Sequence, residues 1–246
     1  MNSTNLKAVI LAAGKGTRLQ TEGNTLPKVM RIAAGKPLLP HVLEALNFIP
    51  SKDCVIVVGY QKESVMDAFP EYIFAEQKEQ LGTGHAVMAA YSQLEDYSGQ
   101  LLICCGDMPL IKRDTYRALI DAHNASDNVC TILTGTSELN LPYGRILRDD
   151  NGEFCGMVED KDATLEQKTI NELNSGVYVF DAVALRDVLS DLRSDNSQGE
   201  YYLTDAPLLL QKKGHKIGVC FRELGYEIIG VNTPEQLRQT EKFLLR

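Results

Sequence analysis

This sequence has no run of apolar residues long enough to cross a bilayer. It does not open as a secretory leader either. MNSTNLKAVILAAGKG lacks a charged n-region, and its short apolar run ends at glycines rather than at a cleavage site. That segment is expected to be a first strand, and the protein cytoplasmic. Basic charge is in deficit: 25 Lys and Arg against 33 Asp and Glu leave a formal net charge of −8. This argues against a broad nucleic-acid or membrane-surface binder, since both need basic faces. It leaves room for a phosphorylated ligand, because a few cations in one cleft set the local potential. No C-x-x-C pair occurs among Cys54, Cys104, Cys105, Cys130, Cys155 and Cys220. Buried free thiols in a reducing cytosol are expected, and adjacent Cys104 and Cys105 are too close for an ordinary disulfide. There is no internal repeat and no low-complexity linker.

What is present is an ordinary globular composition, 44% hydrophobic and 24% charged over 246 residues, which fits one domain over 1–246. Leu6–Ala12 is an apolar run broken only by Lys7, as in a strand buried on both faces. The spacing then predicts a helix over Leu38–Ile49, a strand at Cys54–Val58, a short helix at Glu63–Phe69 and a strand at Tyr72–Ala75. Helix His85–Leu94, strand Leu101–Cys105, helix Asp114–His123 and strand Val129–Thr134 follow. This alternation, over about 1–135, predicts an α/β fold with a right-handed, doubly wound, mostly parallel sheet. The second half, about 136–246, differs. Arg145–Arg148 and Glu153–Val158 flank an Asn-Gly hairpin signal. Strand Val177–Phe180, helix Val183–Leu189, helix Asp205–Lys213, and strands Ile217–Arg222 and Glu227–Val231 are expected next. Gly214 is placed to stop its helix, and Thr233-Pro234 opens the last one with a capping-box spacing to Gln236.

Ligands of open parallel sheets sit beyond the carboxyl ends of the strands, and the unusual residues gather there. LAAGKGTR, residues 11–18, puts small residues and two cations after the first strand. It is either a phosphate-facing loop or a tight strand-to-helix turn. Leu19 stands where a dinucleotide fingerprint needs its third glycine, and no Gly-Lys-Ser/Thr loop occurs. Lys28, in Pro27-Lys28-Val29, is either a second phosphate contact or a solvated lysine. Gln77 offers an amide to a base edge, and Gly82 and Gly84 let backbone face a flat ligand; the bland reading is a capped turn. Asp107, after Gly106 at the end of the fourth strand, is either a ligand for a hard cation or a turn cap.

Together these motifs resemble the sugar-nucleotide pyrophosphorylase family, and within it the uridylyltransferase domain of bacterial bifunctional N-acetylglucosamine-1-phosphate uridyltransferases. LAAGKGTR, PKV at 27–29, EQLGTGHA at 79–86 and GDMPL at 106–110 carry the resemblance. So do YGR at 143–145, VEDKDAT at 158–164, NSGVY at 174–178, QGEYYLTD at 198–205 and GVN at 230–232. They occur in order along nearly the whole chain. The resemblance implies a Rossmann-like nucleotidyltransferase fold with a nucleotide-binding first half and a small, hairpin-containing, sugar-binding second half. Leu11, Ala12, Ala13 and Gly14 would line the nucleotide, with Gln77 and Gly82 on the uracil edge and Thr83 reaching on toward the sugar. Arg18, Lys28 and Asp107 would be catalytic, the two cations on phosphates. Asp107 and Asn232 would hold Mg²⁺. Gly106, Gly144, Glu159 and Asn174 would hold the sugar and its acetamido group. Against this, Asn232 before Thr-Pro also suits a plain turn, and Glu159 and Asn174 suit a hairpin surface.

The sequence departs from the family in three ways. The stretch LQTEGNTL before Pro27 is longer, Cys105 stands where a Tyr is common, and the hexapeptide-repeat acetyltransferase half is absent, so acetyl transfer is not expected. The reaction implied joins UTP to N-acetylglucosamine 1-phosphate, releasing pyrophosphate. The nucleophile is already anionic, which agrees with the lack of a Ser-His-Asp or Cys-His arrangement. Rivals are the same chemistry on another sugar or base, a non-catalytic nucleotide-sugar sensor, and a nicotinamide-dependent oxidoreductase. The last is disfavoured by Leu19, and the sensor by the joint presence of Lys28, Asp107 and Asn232.

Overall fold

The computed structural model describes residues 5–19, 26–139 and 141–246. In chain order the elements are β1 (Leu6–Leu11), β2 (Ile32–Ala33), β3 (Lys36–Pro37), α1 (Leu38–Ala45), β4 (Cys54–Val58), α2 (Lys62–Met66), β5 (Ile73–Glu76) and α3 (Thr83–Ala90). β6 (Gln100–Cys105), α4 (Arg113–Asn124), β7 (Cys130–Gly135), β8 (Arg145–Arg148) and β9 (Phe154–Val158) follow. The chain closes with β10 (Leu173–Asp181), α5 (Ala182–Leu189), α6 (Ala206–Lys212), β11 (Ile217–Arg222) and α7 (Pro234–Leu244).

The main sheet runs β11-β7-β10-β6-β1-β4-β5, with the β8–β9 hairpin attached through β10. All neighbours along this path are parallel except β10, which runs antiparallel to both β6 and β7. The expected mostly parallel, doubly wound sheet is therefore found, with one reversed strand contributed by the second half. Apolar runs build it because both faces are covered. Ala8 and Ile10 of β1 point into a core with Leu39 and Val42 of α1 and Leu119 of α4. Val9, between them, points into the opposite core with Val87 of α3, Leu185 of α5 and Leu210 of α6.

Glu227–Val231 is not a strand but a turn and an irregular segment. Its apolar residues are buried without sheet pairing: Ile228, Ile229 and Val231 have no exposed surface. Glu227 is held elsewhere, its Oε2 accepting from Thr115 Oγ1 at 2.6 Å and from Lys112 N at 3.2 Å, which caps the start of α4. β10 begins earlier than expected, with a register shift between Asn174 and Val177 where Gly176 takes φ +75°. α1 stops at Ala45, short of the expected Ile49, as the chain turns toward Pro50. Thr233 accepts from Gln236 N at 3.2 Å, as the capping spacing requires. Five cysteines are fully or partly buried free thiols; Cys155 is exposed, against expectation, because it faces solvent on β9. No helix among the described residues is long and apolar enough to cross a membrane.

Candidate nucleotidyl-transfer site

β1, β4, β5 and β6 are parallel, so the loops after Leu11, Val58, Glu76 and Cys105 emerge on one edge. These loops are tied to each other. Gly106 N donates to Leu11 O at 2.9 Å, Ala12 N to Val57 O at 2.8 Å and Gln77 N to Val58 O at 2.8 Å. A Cβ on Gly59 would lie 2.9 Å from Gln77 O and 3.0 Å from Ala13 Cβ, so only glycine lets these loops close together.

Lys28 lies in a single 3₁₀ turn behind Pro27, and the first loop packs on it. A Cβ on Gly16 would stand 2.8 Å from Lys28 Cβ, and Gly16 has φ +62°. The Lys28 ammonium donates to Asp107 Oδ2 at 2.5 Å and to Asn232 Oδ1 at 2.9 Å. Asp107 is largely buried and Lys28 partly so, and this low-polarity setting strengthens the attraction. Asn232 is brought in by the segment before α7. Gly230 N donates to the Tyr143 hydroxyl at 2.7 Å, Val231 N to Asp107 O at 2.9 Å and Asn232 N to Gln236 Oε1 at 2.8 Å. The expected capping box thus serves the site: the N3 glutamine bonds the backbone of Asn232 itself.

Asp107 and Asn232 converge on one point with two hard oxygens. That donor set suits a hard cation that keeps phosphate and water ligands. Among the described residues, no cluster of three or more His, Cys, Asp or Glu offers a denser metal site.

A cleft opens beside this point, walled by Leu11, Thr83, Cys105, Tyr143, Glu159 and Asn174. Glu159 sits after β9, and its Oε1 accepts from Thr204 Oγ1 at 3.0 Å. Burial pushes its carboxyl above the usual range, Thr204 opposes this, and Asp205, Asp162 and Asp160 push the same way. Asn174 is spent largely on structure, its Oδ1 accepting from Gly176 N at 3.0 Å and its Nδ2 donating to the Tyr178 hydroxyl at 2.7 Å. One amide hydrogen of Asn174 stays uncommitted. Gly144 O accepts from Asn174 N at 2.8 Å, joining the YGR strap to the bulge of β10. Burial pushes the Cys105 thiol up to about 12, with Asp107 adding to the rise and Lys28 opposing it, so it lines the cleft as a neutral group.

Of the expected site residues, Leu11, Thr83, Asp107, Gly144, Glu159, Asn174 and Asn232 line this cleft. Lys28 joins through its two hydrogen bonds. Ala12, Ala13 and Gly14 follow β1, Gly106 lies beneath Leu11, and Gln77 and Gly82 lie on the neighbouring loop, where Gln77 Nε2 donates to Gly82 O at 3.0 Å. Arg18 is exposed in the turn Thr17–Leu19 and does not line the cleft. Most of LQTEGNTL, residues 20–25, lies outside the described residues. Tyr143, Thr204 and Gly230 carry the loops that hold Asn232 and Glu159, yet none was singled out from sequence. Tyr143 lies within YGR, Thr204 within QGEYYLTD and Gly230 within GVN, the motifs that carry the resemblance.

Comparison with known proteins gives the family of the chain. The profile described as the MobA-like NTP transferase domain matches residues 8–200. The bifunctional protein GlmU of Alkaliphilus metalliredigens is 41% identical over 242 residues, covering 98% of this chain and 52% of that protein. GlmU of Caldanaerobacter subterraneus subsp. tengcongensis is 44% identical over 242 residues, with the same coverage. The chain spans about half the length of the curated relatives it matches. A crystal structure assigned as a glucose-1-phosphate thymidylyltransferase of Bacillus anthracis, in complex with sucrose, superposes with a TM-score of 0.73. It is 15% identical, with 97% of this chain and 94% of that chain covered, which is a likeness of fold.

Proposed function

The chain belongs to the MobA-like NTP transferase family and is a nucleotidyltransferase, and from that premise we propose that it transfers the uridylyl group of UTP to N-acetylglucosamine 1-phosphate with Mg²⁺. The observation that carries this reading is the meeting of Lys28, Asp107 and Asn232 at the mouth of a cleft walled by Glu159 and Asn174. The ordered motif set and the 41–44% identity to GlmU proteins support the choice of substrates.

An oxygen of the sugar 1-phosphate attacks the α-phosphorus of UTP. The new P–O bond forms as the bond to the bridging oxygen of the β-phosphate breaks, and pyrophosphate leaves with that electron pair. No proton need be removed, so the protein's task is to align two anions and neutralise their charge. Lys28 places a positive charge beside the α-phosphate. Asp107 and Asn232 would hold Mg²⁺, which would supply charge neutralisation on the phosphates. Gly14 and the small residues before it let backbone approach the nucleotide. Glu159 and the free hydrogen of Asn174 accept from and donate to the sugar and its acetamido group. Because these polar groups are buried, a sugar that leaves them unpaired binds poorly. Arg18 sits exposed on the turn flanking the first loop and adds positive charge near the phosphates from outside the cleft wall.

The test is pyrophosphate release from UTP with Mg²⁺ across a panel of sugar 1-phosphates, repeated with other NTPs. Fast release with UTP and N-acetylglucosamine 1-phosphate alone is expected. Preference for another sugar or base would overturn the proposed substrates. No release from folded protein that binds a UDP-sugar would overturn the proposed transfer.

A further inference from the structure

Gln77 can offer a ligand only one kind of hydrogen-bonding group, and His85 is the reason. Gln77 is 4% exposed and lies one residue beyond β5. Its backbone is fixed at both ends, N donating to Val58 O at 2.8 Å and O accepting from Gln80 Nε2 at 3.1 Å. Its side-chain Nε2 lies 3.0 Å from Gly82 O and 3.2 Å from His85 Nδ1. A carbonyl oxygen only accepts, so the end of the amide facing Gly82 must be the nitrogen. That nitrogen has two hydrogens and no acceptor capacity. One hydrogen goes to Gly82 O and the other to His85 Nδ1, so the ring hydrogen of His85 is on Nε2. Both donors of Gln77 are then consumed inside the protein. No described residue donates a hydrogen bond to Oε1.

The frame around this pair is rigid. Gly82 has φ +107°, and a Cβ there would meet Tyr201 O at 2.6 Å. Gly84 N donates to Tyr201 O at 2.8 Å, which seats the first turn of α3 and with it His85.

We propose that His85 is a positioning residue that sets base choice by making Gln77 an acceptor-only reader. An acceptor-only amide pairs with a ring N–H, such as N3–H of uracil. It faces the lone pair on N3 of cytosine with another lone pair, and both stay unpaired when the site closes. The inference rests on the uridylyl transfer proposed above and on the expectation, drawn from the resemblance in the sequence, that Gln77 faces the base.

The experiment compares UTP and CTP binding to wild type, Gln77→Ala, His85→Ala and His85→Asn, with folding checked by thermal denaturation. Removing the ring frees one Gln77 hydrogen and lets the amide turn. The UTP-over-CTP preference of His85→Ala should fall by roughly tenfold or more, the scale set by one mismatched polar group in a closed site. Asn at 85 places a carbonyl oxygen near the position of Nδ1 and should restore the preference. Equal weakening of both nucleotides in His85→Ala, with the ratio changed only in Gln77→Ala, would overturn the role of His85 and leave base reading in place. An unchanged ratio in Gln77→Ala would instead overturn base reading by Gln77.

Discussion

Lys28 Nζ stands 2.5 Å from Asp107 Oδ2, although 79 residues separate them in the chain, and the same nitrogen lies 2.9 Å from Asn232 Oδ1. The ammonium therefore shares both oxygens proposed for Mg²⁺, and lysine and cation compete for them before UTP arrives. Lys28→Met removes a positive charge from beside the cation site. Turnover should fall roughly 100- to 1,000-fold, as when one preorganised donor to a developing charge is lost. Mg²⁺ binding to the nucleotide-free protein, read by calorimetry, should tighten. Weaker binding in the variant would show that Lys28 and the metal do not share these ligands.

Tyr143 holds Asn232 at one remove. Its hydroxyl accepts from Gly230 N at 2.7 Å, two residues before Asn232. Tyr143→Phe leaves that N–H without its partner and should cost about 1 kcal/mol of stability, the usual net worth of such a bond. Loss of the bond also frees the segment carrying Asn232. The Mg²⁺ concentration needed for half-maximal rate should rise, while the KM for sugar 1-phosphate changes less. An unaltered Mg²⁺ requirement would mean that the loop is held by Val231 N on Asp107 O and by Gln236 alone.

Gly82→Ala tests the turn that seats Thr83 and Gln77. The added Cβ would lie 2.6 Å from Tyr201 O at φ +107°, where side chains rarely fit. The strain should cost about 1–3 kcal/mol in urea denaturation. Nucleotide affinity should fall with it, because Gln77 Nε2 bonds Gly82 O. A variant with wild-type stability would show that the turn relaxes freely.

Period and burial made most of the fold legible. Cys54–Val58 has the bounds that its apolar run predicts, because a strand covered on both faces has no polar side to blur it; Ile217–Arg222, a half-buried edge strand, also keeps its expected bounds. Glu227–Val231 has the same apolar signal without pairing. There the deciding partner is remote: Glu227 caps α4 through Thr115, a contact that local spacing does not encode. The site followed the same division. Asp107 was legible because it ends a strand beside glycine. Tyr143 and Thr204 were not, since their roles depend on which distant loop each hydroxyl meets. The antiparallel insertion of β10 between β6 and β7 is likewise a property of topology, invisible in the strand's own residues.

Glu159 gives the last prediction, and its sign separates a substrate contact from a structural one. Burial raises its carboxyl above the usual value, so the folded protein disfavours the charged form. Its contribution to stability is then fully present below the ordinary glutamate value and is lost as pH rises through the raised one. Glu159→Gln cannot ionise, yet its side-chain oxygen can still accept from Thr204 Oγ1. The stability difference between variant and wild type should therefore be small in acid and should grow in favour of Gln as pH rises, levelling off once pH has passed the raised value. Urea denaturation of both proteins over roughly pH 4 to 8 brackets that window. The variant should bind N-acetylglucosamine 1-phosphate more weakly above the raised value, where wild type presents a carboxylate to the sugar. A residue kept for the fold would lose stability on losing its charge. A variant that is more stable at neutrality and poorer with the sugar has a carboxylate that the fold tolerates for the ligand's sake, whereas a less stable variant with unchanged sugar affinity would remove Glu159 from the sugar site.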